Sequence, residues 1–214
     1  MELARYGWYP SAAQQAEEGA GCDEYAVSKT IGLGGIALWD GTAEVPLTAT
    51  EGRTARVGKT RKGAFCEIIA YGIEYMGGKV DVSMRIDVCD GSRIAQVTAR
   101  ELGGRKVQFV TGLNHHEGQS VLSDKGYMSA WGVHPPDVSK SPIPLGAAVF
   151  YKARQFGAPV DTGKVIRIIS RPCKVLRTRI IASSTKEPAS GELVTGVPAL
   201  GSQEAFEAFV KRGR

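Results

Sequence analysis

The chain has 214 residues, a formal net charge of +5, 43% apolar residues and 27 glycines. That length suits one domain spanning residues 1–214 that buries roughly 70% of its unfolded surface, and no apolar run approaches the ~20 residues of a membrane-spanning helix. The start, Met1-Glu2-Leu3-Ala4-Arg5-Tyr6-Gly7, lacks the basic end and apolar stretch of a signal peptide, so the chain is expected to be cytoplasmic, or a periplasmic or secreted protein whose signal segment has been removed.

In chain order, residues 12–21 suit a brief helix or a loop. Ile31–Asp40 and Glu44–Thr50 suggest a hairpin around Asp40-Gly41. A β-meander follows over Ala64–Met76, Lys79–Cys89, Ser92–Leu102 and Arg105–Leu113. The dipeptides Gly77-Gly78, Asp90-Gly91 and Gly103-Gly104 separate those runs, and two-residue hairpin turns need such residues because both take positive φ. With two-residue turns, Met76 pairs with Lys79 and Cys66 falls opposite Cys89, where either a cross-strand disulfide or two small packed residues would fit. None of the four cysteines (Cys22, Cys66, Cys89, Cys173) forms a Cys-x-x-Cys pair, which argues against a zinc ribbon or a thioredoxin-type motif.

The same register gives a core face with Ile69, Tyr71, Ile73, Val80, Val82, Met84, Ile86, Val88, Val97 and Val110. The opposite face carries Glu74, Asp81, Ser83, Arg85, Asp87, Gln96, Thr98 and Arg100. A sheet packed on one side alternates in this way. Further strands are expected at Gly126–Gly132, Leu145–Tyr151, Lys164–Ser170 and Lys174–Ala182. The last segment reads as a short helix, with Ser202 as N-cap, Phe206, Phe209 and Val210 as its apolar stripe, and Gly213 as its stop. The expected fold is all-β: a mostly antiparallel β-sandwich, its polar face open as a cleft, with a short C-terminal helix.

All three histidines lie between positions 115 and 134. Asn114-His115-His116-Glu117 and Gly132-Val133-His134-Pro135-Pro136-Asp137 bring proton carriers and metal-ligand types together, near Asp124, Tyr127 and Trp131. Imidazole trades protons near neutrality and also binds metals. Strand alternation puts His115 on the polar face and His116 on the core face, which favours His115 as a site residue. His115, His134 and Asp137 form a candidate metal set, so a divalent metal is the candidate cofactor, although no motif demands one. Loop-capping histidines with no chemistry are the alternative. Trp131 suits stacking on a sugar ring or anchoring a loop. Between Tyr151 and Lys186 nine basic residues face one acid, Asp161, an excess that attracts anions or forms a solvated strand face. The stretch lacks interleaved aromatics for stacking on bases, which argues against nucleic acid. Gly58-Lys59-Thr60 has the ending of a phosphate-binding loop but neither its spacing nor a following helix.

The run Cys22–Gly41, the Arg53–Val57 and Phe109–Gln119 stretches, the Trp131–Asp137 loop and the Phe-rich tail resemble a bacterial family catalogued as domain of unknown function number 4861. That resemblance implies a galactose-mutarotase-like β-sandwich, a link to polysaccharide degradation, and relatives with further β-structure ahead of this segment. The chain is therefore expected to be a short form, a fragment or part of a site. With the residues above, the resemblance leads to an expected polysaccharide lyase that cleaves an acidic, uronate-containing glycan by β-elimination. His115 or His134 would be the base, Tyr127 the acid, and Arg85 and Arg100 the carboxylate holders. Asn114 and Trp131 complete the substrate set. A glycoside hydrolase using two of Glu117, Asp124 and Asp137, or a non-catalytic carbohydrate-binding module, are the alternatives. The expected partner is an acidic poly- or oligosaccharide rather than a membrane or nucleic acid.

Overall fold

The computed structural model describes residues 25–27, 29–135, 142–194 and 196–213. The segment 12–21, Cys22 and Asp137 lie outside them. Two antiparallel sheets pack face to face. The smaller contains β1 (Ile36–Trp39), β2 (Glu44–Pro46), β7 (Phe109–Asn114), β11 (Val160–Asp161) and β12 (Val165–Ile169), in the order β11-β12-β7-β1-β2. The larger contains β3 (Gly52–Thr60), β4 (Gly63–Tyr75), β5 (Gly78–Cys89), β6 (Ala95–Glu101), β8 (Ser120–Asp124), β9 (Tyr127–Val133), β10 (Pro144–Tyr151) and β13 (Val175–Ser184). Its order is β3-β4-β5-β6-β13-β10-β9-β8. A short β14–β15 pair (Glu192–Val194 and Val197–Pro198) leads to the one α-helix among the described residues, α1 (Gln203–Arg212). This is the all-β sandwich with a terminal helix that the alternation and turn signals predict.

The core lies between the sheets. Ile73, Val80, Val82, Val97, Met128, Val149 and Leu176 of the larger sheet meet Leu38, Phe109, Leu113, Ile166 and Ile168 of the smaller. Each such side chain, fully buried, contributes roughly 1.5–3 kcal/mol. Tyr75 spans the layers by donating its hydroxyl to the Trp39 carbonyl at 2.7 Å.

Three expectations are corrected. The β4–β5 turn is Met76-Gly77, both at positive φ, so Tyr75 rather than Met76 closes the hairpin. A bulge between Ala70 and Ile73 then shifts the register, and Cys66 sits opposite Ile86, with Cys66 and Cys89 both free and exposed. Gly72 occupies that bulge at φ 70°, and its N–H donates to the Asp81 carboxylate at 2.8 Å. An inserted residue reverses the alternation beyond it, so Ile69 and Tyr71 leave the core face while Ile73 stays on it. Finally, Gly103-Gly104 is not a hairpin turn. The edge of β6 is taken by β13, and the chain crosses to the other sheet, where β7 pairs with β1 and β12. The edge strand β3 escapes the pattern because it is exposed almost throughout and carries no apolar alternation. Its Arg53, Arg56 and Lys59 discourage further strand pairing.

Helix α1 covers one end of the larger sheet's outer face. Ser202 caps it by accepting the Ala205 N–H at 3.2 Å, and Phe206 and Val210 are fully buried against Trp131, Phe150, Ile181 and Leu200. Gly146, opposite Trp131 on β10, leaves room for this seat: a Cβ there would stand 2.5 Å from the Trp131 ring and 2.8 Å from the Phe206 ring. Phe206→Ala is expected to cost about 3–5 kcal/mol and Gly146→Ala about 1–3 kcal/mol. Denaturant unfolding measures both, and equal stability of parent and variants would contradict this seating.

Candidate functional site

β7 ends at one open end of the sandwich, and β9 of the other sheet ends beside it. The residues that follow them, His116 and His134, therefore meet across the layers, with ring centroids 4.4 Å apart in an edge-to-face arrangement. Tyr25 packs on the other side of His134 at 4.5 Å. A cleft of about 820 Å³ opens here, and its lining includes Asn114, His115, His116, Glu117, His134 and Lys164.

Asn114 organises the floor. Its amide nitrogen donates to the Ala26 and Val27 carbonyls, its amide oxygen accepts from the Thr30 hydroxyl, and its backbone N–H donates to the Tyr25 hydroxyl at 2.8 Å. These bonds tie Tyr25, Ala26, Val27 and Thr30 over the end of β7 and commit the amide to the chain. His115 turns to the rim. Its backbone N–H donates to the Lys164 carbonyl, and Nδ1 lies 2.9–3.0 Å from the two Asp161 oxygens. Burial would raise the Asp161 pKa, but hydrogen bonds from His115 and the Gly163 N–H outweigh it and hold the carboxyl below its ordinary range.

His116 and His134 are held neutral. Burial lowers the His134 pKa to about 4, with His116 adding to the effect and a hydrogen bond to the Ala26 backbone opposing it. Burial likewise lowers His116, against the Ala26 backbone and with help from His115. Tyr25 is pushed up to about 12 by burial, against the Asn114 N–H. Three buried atoms in this corner have no hydrogen-bond partner: His116 Nε2, His134 Nδ1 and Gln119 Nε2. An unsatisfied buried polar atom costs about 1–3 kcal/mol, and such costs concentrate where a ligand or a reaction uses the atom. Gln119 also fixes the loop, since its side-chain oxygen accepts the His116 N–H at 2.9 Å.

Of the residues singled out by sequence, the cleft gathers Asn114, His115, Glu117 and His134. Tyr127 and Trp131 are not there. They point to the opposite face of β9, 5% and 6% exposed beneath α1, with Trp131 5.4 Å from Phe206. Arg85 and Arg100 lie on the outer face of the larger sheet. Among the described residues no three His, Cys, Asp or Glu side chains converge to hold a metal ion, and Asp137 is not among those residues. No described helix is long and apolar enough to cross a membrane. Sequence reasoning passed over His116, Tyr25, Gln119 and Lys164. All six β7 residues are buried, so polar–apolar alternation could not sort the two histidines that follow. The signal for Tyr25 lay in the Cys22–Gly41 run.

Residues 1–196 match the family model of a domain of unknown function (DUF4861). The chain belongs to that family. No curated protein matches it. In this DUF4861 protein the described part of the match includes both sheets and every residue of the histidine corner.

The neutral histidines predict an acid-sensitive fold. His134 has a folded pKa of about 4 against its ordinary 6.5. Between those values the unfolded chain binds a proton that the folded chain refuses. The stability contribution is therefore complete above about pH 6.5 and is lost as pH falls through about 4, by on the order of 3 kcal/mol. His116 adds with the same sign. His134→Phe is expected to flatten the slope in that window, as read by denaturant unfolding at a series of pH values.

Proposed function

We propose that this DUF4861 protein is carbohydrate-active, a lyase that cleaves an acidic, uronate-containing glycan by β-elimination in the histidine cleft. The observation that carries the reading is the neutral His116–His134 pair on the wall of an 820 Å³ cleft, with Lys164 on its rim. The polysaccharide association that the sequence resemblance implies is consistent with this reading.

A neutral imidazole is the form a general base needs. His116 is partly buried on the cleft wall, and its neutral ring suits removal of the proton beside the sugar carboxylate. The Lys164 ammonium offsets the charge that develops on that carboxylate. The bond to the leaving oxygen then breaks, the sugar ring gains its double bond, and the imidazolium of His116 returns its proton to the leaving oxygen. A lowered pKa makes His116 a weaker base but its cation a stronger acid, which suits this second transfer. His134, only 2% exposed, is a positioning residue that with Tyr25 fixes the His116 ring. In this assignment His116 and Lys164 take the roles that sequence gave to His115, Tyr127, Arg85 and Arg100.

The sealed burial of His134 also favours a second reading, a carbohydrate-binding cleft without turnover, in which the aromatic trio closes the end of the sandwich.

The test is ultraviolet absorbance of the unsaturated uronate product during incubation with polygalacturonate, alginate, hyaluronan and chondroitin. A rise is expected on at least one of these. His116→Ala should lower the rate by roughly 10²–10⁴-fold, and the parent rate should increase with pH through a midpoint below 6.5 as His116 loses its proton. New reducing ends without absorbance would point to hydrolysis instead, and binding without either signal would establish the second reading.

A further inference from the structure

Among the described residues, the outer face of the larger sheet is covered by α1 and Leu200 at its β9–β10 end and is open toward β3, where its register lines up a transverse row. Arg56 lies opposite Glu67, Glu67 opposite Arg85, Arg85 opposite Thr98, and Thr98 opposite Arg177. At the covered end Lys152 and Arg177 line a groove of about 400 Å³ with Arg179, Gln96 and Gln155. Arg100 stands one row away, between Ser83 and Val175.

Around these two rows six cations stand against Glu67, Asp87 and, two residues from Ser83 on β5, Asp81; these carboxylates are already engaged, Asp81 by the Gly72 N–H at 2.8 Å. Glu67 binds Arg56 and the Ser83 hydroxyl, and Asp87 binds Arg85 through contacts of 2.6–3.0 Å. Among the described residues no acid pairs with Arg100, Arg177 or Lys152, and all three are exposed. Cations gathered without counter-charge raise the local potential and draw a polyanion.

We infer that this face binds an acidic polysaccharide lying across the strands, as a surface separate from the histidine cleft. The ligand class rests on the reading proposed above, but the face argues for it in its own terms. Arg56, Arg85 and Arg177 sit on β3, β5 and β13, alternate strands of the sheet, so their backbones are roughly 9–10 Å apart. That wide interval suits a chain in which charged and neutral sugars alternate. It fits poorly the dense charge of duplex DNA, in which each strand carries one phosphate per about 3.4 Å of helix axis. Thr98 and Gln96 offer hydroxyl and amide partners between the cations. Along this row, among the described residues, no aromatic ring is free to stack on a base. Phe65 is covered by the Arg85 guanidinium at 3.7 Å from its centroid. It also lies flat over Gly58, where a Cβ would stand 2.7 Å from the ring. Phe150 lies under Arg179 and α1.

The test is equilibrium binding of fluorescent hyaluronan oligosaccharides to the full chain over a salt series, which needs no turnover and is decided separately from lyase activity. The parent is expected to bind. Arg100→Ser/Arg177→Ser should lose roughly tenfold or more in affinity and about two units of the log K versus log salt slope. Arg177→Lys, which keeps the charge, should retain binding. Lys29→Ser/Lys125→Ser, which removes the same charge from loops off this face, should also retain it. Circular dichroism confirms that each variant is folded. No binding by the parent, equal binding by the double arginine variant, or equal loss in the loop variant would overturn the inference. So would displacement by single-stranded DNA at lower concentration than by unlabelled hyaluronan, which would make the face a nucleic-acid surface.

Discussion

No side chain of β7 reaches solvent: Phe109 and Leu113 enter the inter-sheet core, and Asn114 at its end is 1% exposed. A strand buried on both faces must find polar partners for whatever follows it. Asn114 meets that demand by collecting Tyr25, Ala26, Val27 and Thr30 with its side chain and backbone. The same bonds set Tyr25 against His134 and raise one wall of the cleft. The site is thus a consequence of how the two sheets close at their shared end.

The two regions of interest differ in electrostatic character. The cleft is a place where charge is refused: burial keeps His116 and His134 neutral and Tyr25 protonated, and the low polarity that does so also leaves three polar atoms unpartnered. The outer face does the reverse. It keeps its guanidinium groups in water, where a cation costs little to maintain, and lets repulsion among them persist. Under the proposed reading, a neutral proton-transfer site and an exposed cationic track would serve complementary demands of acting on a charged polymer, one at an end of the sandwich and one on a face.

Glycine allows several of the close approaches involved. Gly146 makes room for Trp131 and Phe206 and so seats the helix, while Gly58 lets Phe65 lie flat beneath Arg85. In both cases an aromatic ring fills the space a side chain would occupy. The ring then belongs to packing rather than to ligand stacking, which is why Trp131 ends up as an anchor of α1.

The sequence by itself determined the all-β class, most strand positions, the capped terminal helix and the family, because alternation, turn residues and caps are local properties. It also marked the Asn114–Glu117 and His134 segments as chemically dense. It could not choose between His115 and His116, because alternation is uninformative after a strand buried on both faces. The bulge at Gly72 moved Cys66 away from Cys89, and one inserted residue carries no distinct pattern. Arg85 and Arg100 looked like neighbours of the histidines while the meander was read as one sheet, but the crossover after β6 put β7 in the other layer. Which strand edges pair, and which ends meet, depends on contacts far apart in the chain, and only the tertiary structure decided them.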